Sequence, residues 1–347
     1  MTRTDPAGTA ARTADEILAW SRDRVDPALR TAVAHLPESM RPAAAYHFGW
    51  ADETGAPRAA GSGKAVRPAL VLLSAQAVGG MPGAALPAAV AVELLHNFSL
   101  LHDDIMDGDE TRRHRPTAWK VFGAGTAILA GDSLLIEAWD VLAASGHPSA
   151  REALRVLGAA AQDLIEGQAV DLAFERREEV SLAECRAMAE GKTGALLGCA
   201  CALGALLGGG GPEQVARLRR FGEAAGLAFQ LADDLLGIWG DPAVTGKPVF
   251  SDLRNRKKSL PVVAALTSGT AAGRELASLY ARPGELTGAE LARAARLVDE
   301  AGGRTWSRTE SAALLDRARG HLHAAAAEPR AAAELETLAT LLADRDH

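Results

Sequence analysis

LLHDDIMDGDETRR, residues 100–113, sets three carboxylates, Asp103, Asp104 and Asp107, at the end of an apolar run. The residues leading in, Leu94, Leu95, Phe98, Leu100 and Leu101, mark a core helix. Asp103 and Asp107 are four apart and share one face of it, with Asp104 one position round. Like charges at that spacing destabilise a helix, and carboxylates beside a core are costly without a cation. The apolar lead-in argues against a solvated acidic face and for a metal. Magnesium suits such a site, because it takes oxygen ligands, keeps waters and uses one or two carboxylates plus substrate phosphates. A second stretch, FQLADDLLGIWGDPAVTGKP (229–248), carries Asp233, Asp234 and Lys247 some 130 residues on. Two acidic patches with Lys and Arg nearby point to magnesium ions holding a polyphosphate between two facing helices.

Around these clusters the chain is built for helices. Hydrophobic residues make up 48% of its 347 positions, enough for a large core. Ala, Leu, Glu and Arg dominate and strand-like alternation is nearly absent. The expected fold is therefore all-α, one helical domain over residues 13–347 after a flexible N-terminus at 1–12. A net charge of −7 disfavours a nucleic-acid partner. Cys185, Cys199 and Cys201 have no metal-ligand spacing, and their odd, sparse count fits a cytoplasmic protein. The first residues, MTRTDPAGTAARTADE, contain no apolar leader core. The uncharged segment Thr193–Gly211 approaches membrane-spanning length. Its glycines and alanines favour a buried core helix instead, so no transmembrane segment is expected.

Basic residues flank both clusters. Arg112 and Arg113 follow the first, with His114 and Arg115 beyond. Paired arginines closing a helix can merely offset its dipole. Their number favours an anion cradle, since guanidinium groups bind phosphate bidentately. GSGKAVRP (61–68) joins Gly63, Lys64 and Arg67 in a glycine loop ahead of a helix. Ala after Lys64 excludes a Walker A loop, but the loop suits a phosphate at a helix N-terminus. Lys192-Thr193-Gly194 is unremarkable alone, and the run Arg254, Arg256, Lys257, Lys258 reads alone as a solvated face.

Together these motifs resemble the trans-isoprenyl diphosphate synthase (polyprenyl synthetase) family from about residue 61 to 261. GSGKAVRP is similar to its G-G-K-x-x-R-P, and HDDIMDGDETRR to its first D-D-x-x-D with trailing arginines. Gly167-Gln168 with Asp171 is similar to its G-Q-x-x-D, and Lys192-Thr193 to its K-T. Phe229-Gln230 through Lys247 and Asp252 resembles its second aspartate-rich segment, except that Gly237 stands where the last aspartate is usual. The resemblance implies an isoprenoid-synthase helical bundle around a central cavity, working as a homodimer. It implies head-to-tail joining of isopentenyl diphosphate to an allylic diphosphate (dimethylallyl, geranyl or farnesyl). Three magnesium ions are implied, with Asp103, Asp104, Asp107, Asp233 and Asp252 as the metal residues. Lys192, Lys247, Lys257 and Arg112 are implied at the allylic diphosphate, and Thr193 and Gln230 beside the cation that forms. Gly63, Lys64, Arg67, His96 and Arg113 are implied at isopentenyl diphosphate. With Asp233 and Asp252 retained, activity is expected to survive the missing aspartate, and Gly237→Asp to change it little.

Product length in such enzymes depends on positions one turn before the first motif. Phe98 lies five residues before Asp103 and Ser99 four before. A bulky residue followed by a small one resembles geranylgeranyl (C20) synthases, so C20 is the expected product, with farnesyl (C15) or C25 as alternatives. A class I terpene cyclase would share the fold, but residues 233–241 lack its second motif. A non-catalytic subunit of a heteromeric synthase usually loses the first aspartate motif, which is intact here.

Overall fold

The computed structural model describes residues 11–58, 65–242 and 248–344. Among them the expected all-helical architecture is present. The first ten helices are α1 (Ala14–His35), α2 (Arg41–His47), α3 (Val66–Ala77), α4 (Leu86–Met106), α5 (Ala118–Phe122), α6 (Ala124–Ala143), α7 (Ala150–Phe174), α8 (Leu182–Ala189), α9 (Ala195–Leu207) and α10 (Pro212–Trp239). They are followed by α11 (Ser251–Arg254), α12 (Leu260–Leu266), α13 (Ala271–Tyr280), α14 (Gly288–Glu300), α15 (Gly303–Ala324) and α16 (Pro329–Ala343).

The core is organised by α9, which packs on α3, α7 and α10, while α4 lies along α6. Its sequence is small and apolar, and nearly every residue from Leu196 to Leu207 is buried. Glycine makes the close approach possible: a Cβ on Gly204 would sit 2.1 Å from the Val71 carbonyl oxygen of α3. The uncharged Thr193–Gly211 segment is thus core, as expected. Among the described residues one helix, Pro82–Met106, is long and apolar enough to cross a membrane, and 72% of its apolar window is buried in the fold.

The sequence placed Arg12 in a flexible terminus, but the structure ties it down. Its amide and guanidinium donate to the Glu334 carboxylate of α16 at 2.5–3.0 Å, and its guanidinium stacks on Trp20. Thr13 then caps α1 reciprocally with Glu16. A second departure follows α4. The arginines do not close a helix: α4 stops at Met106, and Gly108 turns the chain with φ +67°. Thr111–Arg112 then pairs antiparallel with Arg115–Pro116. The two turn residues, Arg113 and His114, have φ of +53° and +60°, a left-handed conformation that Asn-Gly would adopt more cheaply. Strain of this kind persists where the surroundings hold it. Here Arg115 donates to the carbonyl oxygens of Tyr46 and Ala51 and stacks on Tyr46, whose hydroxyl donates to the Pro116 carbonyl.

Candidate active site

The first acidic cluster occupies a helix C-terminus, and the second lies more than a turn before one. Asp103 and Asp104 lie in the last turn of α4, and the Asp107 amide closes it on the Asp103 carbonyl at 2.8 Å. Asp233 and Asp234 lie near the end of α10. A helix C-terminus carries partial negative charge, so the first cluster adds carboxylates to an already negative pole. Burial above all, then Asp107 and Asp104, pushes the Asp103 carboxyl up to about 6 against the pull of Lys192 and Arg112.

Lysines lie between the clusters. A π-helical turn, Glu190–Gly194, presents Lys192 and Thr193, a distortion common at functional sites. Gly167 of α7 lets that turn approach, since a Cβ there would fall 2.3 Å from the Lys192 nitrogen. One turn on, Asp171 accepts from Lys192 Nζ at 2.6 Å. Lys257 is half-buried among carboxylates, not on a solvated face. Burial opposes its charge, but Asp171, Asp252, Asp234 and Asp107 outweigh that and hold its pKa well above the usual lysine value. Lys258 also points inward, donating to the Phe174 carbonyl at 2.8 Å.

A relay supports Thr193. Its hydroxyl donates to Gln230 Oε1 at 2.5 Å, and Gln230 Nε2 donates to Asp234 Oδ1 at 2.7 Å. Asp234 also accepts from the Leu260 amide at 2.9 Å. Burial raises its carboxyl to about 7 despite the nearby Lys257 charge. Gln168 is buried with neither amide atom hydrogen-bonded, the kind of orphan a ligand satisfies.

At the other end, Arg67 donates to His96 Nε2 at 3.0 Å. Burial, then the charges of Arg67 and Arg113, keeps His96 neutral, so it can accept that bond. Behind them stand Glu93 and Asn97, with Asn97 Nδ2 donating to the Glu93 carboxylate at 3.1 Å, and buried His47, whose pKa is driven to about 3 by burial and by Arg113 and Arg112. These three were missed in the sequence. A Glu and an Asn four apart inside an apolar helix were the available signal. Gly63, Lys64 and Lys247 lie outside the described residues.

Asp104, placed among the metal residues, is buried and its Oδ1 accepts from Arg112 Nε and Nη2, each at 2.7 Å. Standing one position round the helix from Asp103, it anchors the hairpin. At Gly237, an added Cβ would lie 2.4 Å from Asp252 Oδ2 and 2.6 Å from Oδ1. Asp252 fills the space of the missing side chain, so a side chain at residue 237 requires that carboxylate to move.

Among the described residues no three Asp, Glu, His or Cys side chains form a closed metal cage. The donors that face the site are oxygens in two clusters separated by lysines. That fits magnesium, which completes its shell with water and substrate phosphate, and does not fit a self-sufficient protein cage. A cavity of about 940 Å³ lies behind the π turn, lined in part by Gly167, Gly191, Glu223 and Leu227, and contains none of Asp103, Asp107 or Asp233.

An all-helical bundle with two acidic clusters around lysines is an arrangement suited to holding a diphosphate through magnesium. The polyprenyl synthetase family model matches residues 53–297, and the chain belongs to that family. The (2E,6E)-farnesyl diphosphate synthase of Mycobacterium tuberculosis is 47% identical over 332 residues, covering 95% of this chain and 92% of its own length. The geranylgeranyl diphosphate synthase of the same organism is 48% identical over 288 residues, 83% of this chain and 82% of its own. The crystal structure of a polyprenyl synthetase from Streptomyces coelicolor A3(2) superposes with a TM-score of 0.90 at 48% identity, over 95% of this chain and 99% of that one. The protein is a short-chain prenyl diphosphate synthase, a prenyltransferase of a generally magnesium-dependent family that uses isopentenyl and allylic diphosphates. C15 and C20 synthases match it at nearly equal identity, so overall similarity does not set its product length.

Proposed function

We propose that this chain condenses isopentenyl diphosphate with an allylic diphosphate and stops at geranylgeranyl diphosphate. The observation that carries the length is Phe98, 7% exposed on α4, with the small Ser99 beside it, also 7% exposed, about one turn before Asp103. Phe98 closes the tunnel below the reacting carbons, and Ser99 leaves room above it. A C15 product is the second reading, favoured by the farnesyl synthase match across 95% of the chain.

Bound magnesium, held by Asp103, Asp107 and Asp233 with Asp252, supplies Lewis-acid neutralisation of the departing diphosphate. Lys192, Lys257, Arg112 and Lys247 add charge-assisted contacts to that diphosphate. The allylic C–O bond breaks and its electron pair leaves with the diphosphate. The oxygens of Thr193 and Gln230 face the allylic cation electrostatically; Thr193 gives its hydrogen to Gln230, so its lone pairs remain available. Gly63, Lys64, Arg67, His96 and Arg113 hold isopentenyl diphosphate, whose alkene forms the new C–C bond. The proton then lost passes to the released diphosphate, since no side chain here is an evident base. The apolar walls exclude water from the cation. The protein works as a cytoplasmic homodimer, with Ile128, Leu129 and Ile136, 41–63% exposed on α6, covered by the second copy.

The test is labelled isopentenyl diphosphate with C5, C10 or C15 primers and chromatography of the products. C20 as the end point from all three supports the reading, and C15 accumulation with no use of the C15 primer replaces it with the second.

A further inference from the structure

The residue before the first aspartate motif, His102, has no part in the chemistry above, yet it is placed with care. It lies four residues after Phe98 on α4, on the same face. The two rings meet edge to face, with centroids 4.7 Å apart and planes at 64°. On its other side the imidazole reaches α6. Its Nε2 lies 3.0 Å from the Ile128 carbonyl oxygen and 3.6 Å from Asp132 Oδ1. A carbonyl only accepts, so Nε2 carries hydrogen and donates there. The ring can lie so close to α6 because residue 131 is glycine. A Cβ at Gly131 would fall 2.5 Å from His102 Nε2 and 2.6 Å from Cδ2, closer than packed atoms tolerate.

We propose that His102 is a positioning residue for product length, a wedge that rests on α6 at Gly131 and fixes the ring of Phe98 across the growing chain. The inference rests on the reading that Phe98 closes the tunnel. Ring and helix act through a fixed stack: Gly131 receives His102, His102 receives Phe98, and Phe98 meets the substrate. Thinning the wedge lets Phe98 turn away and deepens the tunnel. Thickening its support pushes Phe98 inward and makes the tunnel shallower. The two changes therefore shift product length in opposite directions, which a general loosening of the fold does not do.

The test uses the full-length protein with isopentenyl diphosphate and a C15 primer, and reads the C25:C20 and C15:C20 ratios beside the thermal midpoint. His102→Ala raises the C25:C20 ratio about ten-fold, the scale on which an edge-to-face aromatic pair acts. His102→Asn, which keeps a donor toward Ile128, lies between it and wild type. Gly131→Ala shifts output toward C15. The double variant Phe98→Ala/His102→Ala gives the product profile of Phe98→Ala alone, because His102 acts only through Phe98. If Phe98→Ala lengthens products and His102→Ala does not, the wedge is refuted while the tunnel reading stands. If Phe98→Ala leaves length unchanged, the tunnel reading fails and the wedge with it. Should Gly131→Ala not fold, the histidine variants and the double variant decide the matter alone.

Discussion

The carboxylate of Asp252 occupies the space that a side chain at Gly237 would fill, with Oδ2 2.4 Å from where that Cβ would stand. Ser251, next to it on α11, donates from Oγ to the Gly237 carbonyl at 3.2 Å and so fastens the loop to α10. The third carboxylate of the second cluster is thus delivered from a different segment. Gly237→Ala is expected to displace Asp252 and to cost about 1 kcal/mol of stability, the lower end of overpacking costs, because a carboxylate can rotate away. Gly237→Asp adds a like charge and costs more. Gly237→Asp/Asp252→Gly, which moves the carboxylate back to α10, recovers much of the loss. Thermal midpoints with and without magnesium and inorganic diphosphate check this, and a double variant no better than Gly237→Asp refutes the exchange.

Asp103→Ala or Asp233→Ala should lower turnover by about two orders of magnitude or more, since each removes charge stabilisation of the leaving diphosphate. The fold should survive, because neither carboxylate holds the core together. Turnover in saturating magnesium and circular dichroism measure the two halves of the claim. Near-normal turnover would remove both residues from the metal assignment.

Phe98→Ala should extend the product to C25 and beyond, while Ser99→Phe should shorten it toward C15. The two residues are adjacent on α4 and both 7% exposed, so a change of volume at either is felt by whatever fills the tunnel. Chromatography of products from a single primer reads the outcome. Persistence of C20 alone in both variants would place the floor elsewhere.

The clasp between Arg12 and Glu334 sets an acid limit on the terminus. Burial raises the Glu334 carboxyl, but the bonds from Arg12 and Arg330 outweigh it and hold its pKa below the usual glutamate value. A lowered pKa gives stability that is full above the unfolded carboxylate range and lost as pH falls through the folded value. Glu334→Gln should therefore lower the thermal midpoint by a few degrees at pH 7 and by progressively less at lower pH. A constant difference across that range would show that the charge is irrelevant.

The all-α fold was legible because alanine- and leucine-rich periodicity is a local property, and α9 announced its burial by lacking any charge. The hairpin was not legible. Arg113 and His114 carry none of the Asn or Gly that mark such a turn, and the strain is met by Arg115 and Tyr46, contacts remote in sequence. In the site, the aspartates of the first cluster stood out by spacing, and Lys192 only through the family resemblance. Lys257 did not, because a basic run reads the same whether it faces water or four carboxylates. His102 and the Glu93–Asn97 pair were single polar residues in an apolar helix, whose partners lie on other elements. The bond between Asp104 and Arg112 was not legible either, because about 100° of helix rotation turns Asp104 away from Asp103 toward a hairpin that no spacing announced.

The first acidic cluster sits at the negative pole of its helix, and the second sets two adjacent carboxylates near the end of another. The ligand-free protein therefore carries a standing electrical tension that its own lysines relieve only in part. Substrate with its counterions discharges that tension, so occupancy and rigidity rise together. A preparation stripped of divalent ions is the softest form of this protein, and its melting curve becomes a gauge of how full the site is.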